Sequence, residues 1–368
     1  DSFVSQNGEP LFAIGEENTF PYRLARRILH CDYCIIHMVG HLKDRFYFEY
    51  SMYEQWRACI NYYHKFKNNG VPDETQKEAE EVLDRFIEQR KQPADMELFL
   101  ERGGNALSKK FSFAKVCRAL KELVQINSGK IDYWDPKSYL AKDLSLSKKI
   151  KRAFNHYRVD KYFNQLALTK LPQSQRHAVY FAHVEPEHTI DGLAFEYRDQ
   201  ITTARLIAAS LPADMVLLFK EHPAMVGERY RGYYKELVES HNIELLHHSV
   251  NSYDVIESAD LLFTLTGSIS LEAMFLGKPT IVLGDIYFTE FNGVHKIKNI
   301  KQIRETVYQV LNDECAGASR QDIVRALASM IAGSNAGRFS SRYTLSEMEE
   351  AGNVSDLREA FGGEFFNQ

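Results

Sequence analysis

Three short stretches between residues 183 and 272 hold side chains whose types and order suit the handling of a phosphorylated ligand. The first is His183-Val-Glu185-Pro186-Glu187-His188-Thr189. An imidazole and a carboxylate four residues apart suit proton transfer, or stabilisation of positive charge developing in a transition state. Pro186 stiffens the stretch that would hold them. The second, Lys220-Glu221-His222-Pro223, brings an ammonium and an imidazole, both able to donate to phosphate oxygens. The third is Thr266-Gly267-Ser268, followed by Glu272. There the free N–H groups of a helix's first turn attract an anion, and Gly267 lets it approach the backbone closely. Glu272, about one turn into that helix, could accept hydrogen bonds from ribose hydroxyls. Each stretch also has a plainer use. Ser268 can cap an ordinary crossover helix, and Glu187 can cap a helix near Leu193 or pair with Arg198.

The elements around these stretches explain why they should meet. Short apolar runs predict strands at Ala178–Ala182, Met215–Phe219, Ile243–Leu246, Leu261–Leu265 and Thr280–Leu283. Helical spacing at Ala194–Leu211, Tyr230–Ser240, Ser252–Ser258, Ser268–Leu276 and Ile300–Leu311 supplies the crossovers. Strands alternating with helices in this way make a doubly wound parallel sheet. In its common order the first and fourth strands are neighbours at the topological switch point, the second lies beside the first, and ligands bind beyond their carboxyl ends. The three stretches are the loops after the first, second and fourth strands, so all face one crevice. His183 and Glu187 are therefore the candidate catalytic groups, and Lys220, His222, Pro223, Thr266, Gly267, Ser268 and Glu272 the candidate binders of a nucleotide and its phosphates.

The rest of the chain bounds this reading. Its 368 residues suffice for two or three domains, and a formal net charge of −5 argues against non-specific nucleic-acid binding, although Lys148-Lys149-Ile150-Lys151-Arg152 could touch an anionic partner or a membrane surface. Five scattered cysteines fit reduced thiols, no apolar stretch reaches the length of a membrane span, and there is neither a signal peptide nor an initiator Met. These features predict a cytoplasmic protein. Strands at Leu11–Gly15 and Tyr33–Val39, with a helix at Tyr22–Leu29 between them, make part of an N-terminal βαβ domain. Cys31, Cys34, His37 and His41 could bind zinc by count. They lie along a strand whose side chains alternate between faces, and no second CxxC follows, so no metal site is predicted. Helices are expected at Tyr53–Phe66, Thr75–Gln89, Phe113–Ile126 and Leu140–Leu168, and after the sheet at Ala326–Ile331 and Leu345–Phe361. The expected division is a partly helical N-terminal domain over 1–170, the parallel-sheet domain over 171–316 and C-terminal helices over 317–368.

The motifs also carry a resemblance. Phe181-Ala-His183-Val-Glu-Pro186-Glu187-His-Thr189, Asp199-Gln200, Leu218-Phe-Lys220-Glu221-His222-Pro223, Thr264-Leu-Thr266-Gly267-Ser268, Glu272-Ala and Gly277-Lys278-Pro279 stand in one fixed order. In this the chain resembles the capsular polysaccharide biosynthesis family over Phe181 to Val294, and Asp44-Arg45-Phe46-Tyr47-Phe48 is similar to the family's middle segment. That family includes glycosyltransferases of GT-B architecture and the Kdo transferases of capsule assembly. The resemblance implies a GT-B-like α/β chain with a nucleotide-sugar donor, CMP-sugars among the candidates, in the C-terminal Rossmann-like domain. It implies a glycan or glycolipid acceptor on the N-terminal side, no cofactor, no obligatory metal and no nucleic acid. It also implies work in the cytoplasm, with peripheral association to a membrane polysaccharide assembly complex. Two features depart from the pattern. His183 and Glu185 stand in a motif where related transferases often carry Gln, and the residues before Asp44 supply about two strands where a GT-B half needs several, so either earlier chain is absent or the fold is trimmed. A nucleotide-sugar epimerase of GT-B shape, or a non-catalytic nucleotide-binding scaffold in polysaccharide assembly, would use the same residues.

Overall fold

The structure, a computed structural model, describes residues 2–4, 10–15, 32–49, 55–90, 146–313, 316–339 and 343–365. The chain starts with β1 (Ser2–Val4), β2 (Pro10–Gly15), β3 (Asp32–Met38) and β4 (Arg45–Glu49), followed by helices α1 (Arg57–Asn69), α2 (Asp73–Gln89) and α3 (Leu146–Leu166). The second sheet takes β5 (Arg176–Phe181), β6 (Met215–Lys220), β7 (Ile243–Leu246), β8 (Leu261–Thr264), β9 (Thr280–Val282) and β10 (Val294–Lys296). Its helices are α4 (His188–Leu193), α5 (Gln200–Ser210), α6 (Tyr233–Val238), α7 (Ser252–Ser258), α8 (Ile269–Phe275) and α9 (Ile303–Asn312). After α10 (Arg320–Ala332), β11 (Asn335–Ala336) returns to pair with β4 in the first sheet, and α11 (Leu345–Met348) and α12 (Ala351–Phe365) are the last helices of the described residues.

The second sheet has the order β10-β9-β8-β5-β6-β7, with every pairing parallel. This is the doubly wound α/β sheet expected from the sequence, with β5 between β8 and β6 at the switch point. The first sheet, ordered β1-β2-β3-β4-β11, stands as a second, smaller unit, which gives the two-sheet plan of a GT-B-like chain. Central strands buried on both faces read as near-continuous apolar runs, and all six residues of β6 are buried, its terminal Lys220 included. Their alternation divides them: Leu217 and Phe219 enter the core with α5 and α6, while Val216 and Leu218 enter the one with α7.

Several boundaries differ from expectation for identifiable reasons. The helix expected over Ala194–Leu211 is interrupted. A 3-10 turn at Phe195–Tyr197 ends, and α5 starts anew where the Asp199 carboxylate accepts from Thr202 N–H at 3.2 Å. The helix expected from Tyr230 starts only at Tyr233, because Gly232 sits at φ +108°. β10 was not predicted; Val-His-Lys is too short and polar to read as an apolar run. The helices expected at Tyr22–Leu29 and Phe113–Ile126 lie outside the described residues, as does Cys31; the Cys34 side chain is likewise undescribed.

Beyond the parallel sheet the chain goes back to the N-terminal unit, where α10 packs on α1 and α2. Trp56, 1% exposed, stacks on Tyr47 with ring centres 4.2 Å apart and donates Nε1–H to the Gly333 carbonyl at 2.8 Å. No helix among the described residues is long and apolar enough to cross a membrane.

Candidate functional site

Because β5 lies between β6 and β8, the loops leaving the carboxyl ends of these three strands come together. His183, just beyond β5, is buried and fastened on every side. Its N–H donates to Gln200 Oε1 at 2.8 Å, and its carbonyl accepts from Arg229 Nη2 at 2.8 Å and Gln200 Nε2 at 3.2 Å. Ring Nε2 accepts the Leu265 N–H at 3.1 Å, so that nitrogen carries no proton. The Thr264 hydroxyl, 2.8 Å from the same nitrogen, is then its second donor, while Thr264 Oγ1 accepts the Gly267 N–H at 3.3 Å. The ring proton therefore resides on Nδ1, which faces Glu187 Oε2 at 3.5 Å. His183 thus ties the β5 loop to the β8 loop and turns its one N–H toward Glu187.

Glu187 stands at the N-cap position of α4, yet its side chain caps nothing. Its carboxylate takes the Thr189 hydroxyl at 2.8 Å as well as facing His183, and its side chain is 37% exposed. Burial pushes this carboxyl up, but the hydrogen bonds and charges of His183, the Thr189 hydroxyl and His222 outweigh it and hold the carboxyl below its usual value. Glu187 is therefore an anion at neutral pH. It lines a cavity of about 450 Å³ together with Pro186, Ile190, Asp191 and Arg198.

His222 lies in the same cluster, near enough to His183 and Glu187 for their charges to act on it. Its Nδ1 accepts the Ala224 N–H at 3.1 Å, starting the 3-10 turn Pro223–Met225 in which Pro223 takes the first position. Burial lowers its pKa, with the Glu221 charge opposing, and leaves a neutral imidazole with its proton on Nε2.

Beneath the cluster is a charged network that sequence reasoning missed. Arg229 forks onto Glu221, with Nε to Oε2 at 3.0 Å and Nη2 to Oε1 at 2.9 Å, and sends Nη1 to Glu185 Oε2 at 2.6 Å. Glu221 also accepts the His222 N–H at 2.8 Å and the Tyr234 hydroxyl at 2.9 Å, and Glu185 accepts from Gln200. The side chains of Arg229 and Glu221 are 1% and 0% exposed. Burial alone would lower the Arg229 pKa; Glu221, Tyr233 and Glu185 reverse that and raise it above its usual value. The network fixes the loops that carry His183 and His222 from behind.

Two residues picked out in the sequence are not brought to this cluster. Lys220 faces the α7 side of the sheet, where Nζ donates to the carbonyls of Val250 at 2.7 Å and His248 at 3.2 Å, and burial lowers its pKa to about 8. Glu272 is 3% exposed and faces the N-terminal unit, 3.7 Å from His41 Nε2. Thr266, Gly267 and Ser268 do line the start of α8. Thr266 is buried with its Oγ1 unpartnered, and Ser268 occupies the N-cap position without a side-chain cap. At Gly267 a Cβ would fall 2.7 Å from Thr264 Oγ1 and 3.2 Å from His183 Cε1, so only glycine fits beneath the imidazole. Of the imidazoles considered for zinc, His37 sits 3.2 Å from Glu49 Oε2 and His41 faces Glu272. Among the described residues no group of three or more His, Cys, Asp or Glu could hold a metal ion.

Comparison with known proteins adds a family. The model of the family described as "Capsule polysaccharide biosynthesis protein" matches residues 88–326, more than half of the chain. Over 65 residues the chain is 29% identical to the capsule polysaccharide modification protein LipA of Neisseria meningitidis serogroup A, a stretch covering 18% of this chain and 9% of that relative. Similar structures include the beta Kdo 2,4 transferase of Thermosulfurimonas dismutans KpsC, at 12% identity and a TM-score of 0.43, covering 86% of this chain and 78% of that one. The beta Kdo 2,7 transferase of the same KpsC is 12% identical with a TM-score of 0.36, covering 95% and 99%.

Proposed function

The chain belongs to the capsule polysaccharide biosynthesis protein family, and from that premise we propose that it is a glycosyltransferase moving a sugar from a nucleotide-sugar donor to a glycan acceptor. The observation that carries this reading is Glu187, an ionised carboxylate oriented by His183 and Thr189 at the edge of a sugar-sized cavity, across the switch-point crevice from Thr266 and Ser268. In this reading Glu187 takes the proton of the acceptor hydroxyl or stabilises positive charge at the anomeric carbon. His183 is a positioning residue, since Nε2 is committed to Leu265 and Thr264. The donor phosphate meets the Thr266 hydroxyl, the uncapped first turn of α8 and the Nε2–H of neutral His222, without a metal ion.

Thermal-shift screening against CMP-, UDP-, GDP- and dTDP-nucleotides tests donor binding, since a bound ligand raises stability with the logarithm of its concentration over its dissociation constant. Nucleotide release that depends on an added acceptor glycan tests transfer. A protein stabilised by none of the nucleotides refutes the reading, and release that needs no acceptor turns it toward an epimerase.

A further inference from the structure

A second cavity, of about 510 Å³, lies between α3 and the turn that leads into α6. One wall is the flank of α3, where Phe154, Tyr157 and Tyr162 stand 60%, 58% and 38% exposed. The opposite wall carries Tyr230, 53% exposed, on the turn that Gly232 makes at φ +108°. Large aromatic rings left in water on two facing walls are unusual, because each forgoes the burial that normally places it inside. Among the described residues the charged side chains that line the cavity are Arg158, Lys161, Arg231 and Lys235, while the Glu236 carboxylate at its edge takes the Tyr230 hydroxyl. Arg158 lies 5.6 Å from the centre of the Phe154 ring, and Lys235 is shared with exposed Glu239 at 3.5 Å.

The cavity adjoins the site described above. Tyr230 is close enough to Asp199, which lines the Glu187 cavity, for that charge to act on its phenol. Tyr234, on the cavity's inner side, donates to the same Glu221 that Arg229 holds.

We propose that this aromatic and cationic groove binds a carboxylate-bearing glycan chain, and in the sugar-transfer reading, on which this assignment rests, it holds the acceptor while its end reaches the Glu187 cavity. Tyrosine offers a flat apolar face to the C–H side of a sugar ring and a hydroxyl at its edge. Arginine and lysine between the rings pair with carboxylates, the guanidinium in two-point fashion. A concave groove walled by two separate elements suits a chain better than a planar bilayer. Single-stranded nucleic acid uses similar residue types, but a net charge of −5 over the whole chain opposes it.

The test is direct binding to the full chain, by calorimetry, of a hexamer of galacturonic acid and of neutral maltohexaose, at 50 and 300 mM salt. Hexagalacturonate should bind and maltohexaose should not. Affinity should fall at least about tenfold at the higher salt, because exposed charge pairs are screened. It should fall about as far in Arg158→Gln/Arg231→Gln and in Tyr157→Ala/Tyr230→Ala, with melting curves confirming that both fold. No binding of hexagalacturonate, or binding that neither double variant weakens, overturns the proposal. So does variant-sensitive binding only to vesicles containing phosphatidylglycerol, or only to a thymidine oligonucleotide, which would assign the groove to a membrane or to nucleic acid. The sugar-transfer reading fails separately: hexagalacturonate bound at the groove, with no donor nucleotide bound by the protein, keeps the groove and loses the transferase.

Discussion

Replacing Arg229 with Met removes the cation that three parts of the site share while keeping the side chain's length. Arg229 holds both oxygens of Glu221, one oxygen of Glu185 and the carbonyl of His183. Glu185 is 33% exposed, so water replaces its lost partner cheaply. Glu221 has no such recourse. Its side chain is 0% exposed, and the variant leaves its charge with only the His222 N–H and the Tyr234 hydroxyl. Leaving one partner of a buried ion pair uncompensated costs about 3–5 kcal/mol. Against a typical total of about 5–15 kcal/mol, that is a large share of the fold's stability. Denaturant unfolding followed by circular dichroism at pH 7 should report this loss. Arg229→Met/Glu221→Gln should recover at least half of it, because Gln keeps an oxygen for His222 and Tyr234 without the charge. A loss below about 1 kcal/mol, or a double variant no more stable than the single one, would refute the view that this pair secures the loops.

Three further outcomes are expected. Glu187→Gln should bind the donor nucleotide almost normally in calorimetry yet transfer sugar at least about a hundredfold more slowly; turnover near that of the native protein would remove Glu187 from the mechanism. Gly267→Val places a Cβ against Thr264 Oγ1 and the His183 ring, so it should cost about 1–3 kcal/mol and abolish the nucleotide-induced thermal shift. An unchanged shift would place the phosphate elsewhere. Folding lowers the Lys220 pKa from 10.5 to about 8, so between these values the unfolded chain binds more protons and stability rises with pH. At 1.36 kcal/mol per pH unit the gain reaches about 3 kcal/mol by pH 10.5. Lys220→Met should lack that rise in denaturant titrations, and an identical pH profile would mean that Lys220 is not desolvated as the structure has it.

What the sequence conveyed, and what it withheld, follows from the kind of signal each residue leaves. The parallel strands were legible because strands buried on both faces read as unbroken apolar runs, and from them the meeting of the β5, β6 and β8 loops followed. That same continuity hid which face a residue takes. Lys220 follows Val216 and Leu218 to the α7 side, and a run such as Met-Val-Leu-Leu-Phe-Lys does not say so. Glu272 looked like a ribose ligand by position along its helix, whereas the described packing sets it against His41 from a distant part of the chain. Arg229 left no motif at all, lying in an irregular loop eight residues after Glu221. Its only trace was indirect: Glu185 and Glu221 sit beside strands that are otherwise apolar, and a carboxylate buried there demands a cation. Gln200 carries no chemistry legible in the sequence, and its amide holds both backbone groups of His183.

The distribution of charge across the crevice sets the direction in which such a reaction would run. On the cavity side, Glu187, Asp191 and Arg198 line the wall, while Glu185 is taken by Arg229 and Gln200 and Asp199 by Thr202. That side repels a phosphate and welcomes hydroxyls, or the cationic character that develops at an anomeric carbon. On the α8 side the groups described are neutral donors, the Thr266 and Ser268 hydroxyls and an uncapped helix start. An anionic leaving group is better accommodated there, and its separation from Glu187 keeps the two negative charges apart. His183 lies between the halves, with Nε2 turned to the β8 loop and Nδ1–H to Glu187. It therefore couples the position of the carboxylate to that of the β8 loop, and this explains why Gly267 must leave room for its ring.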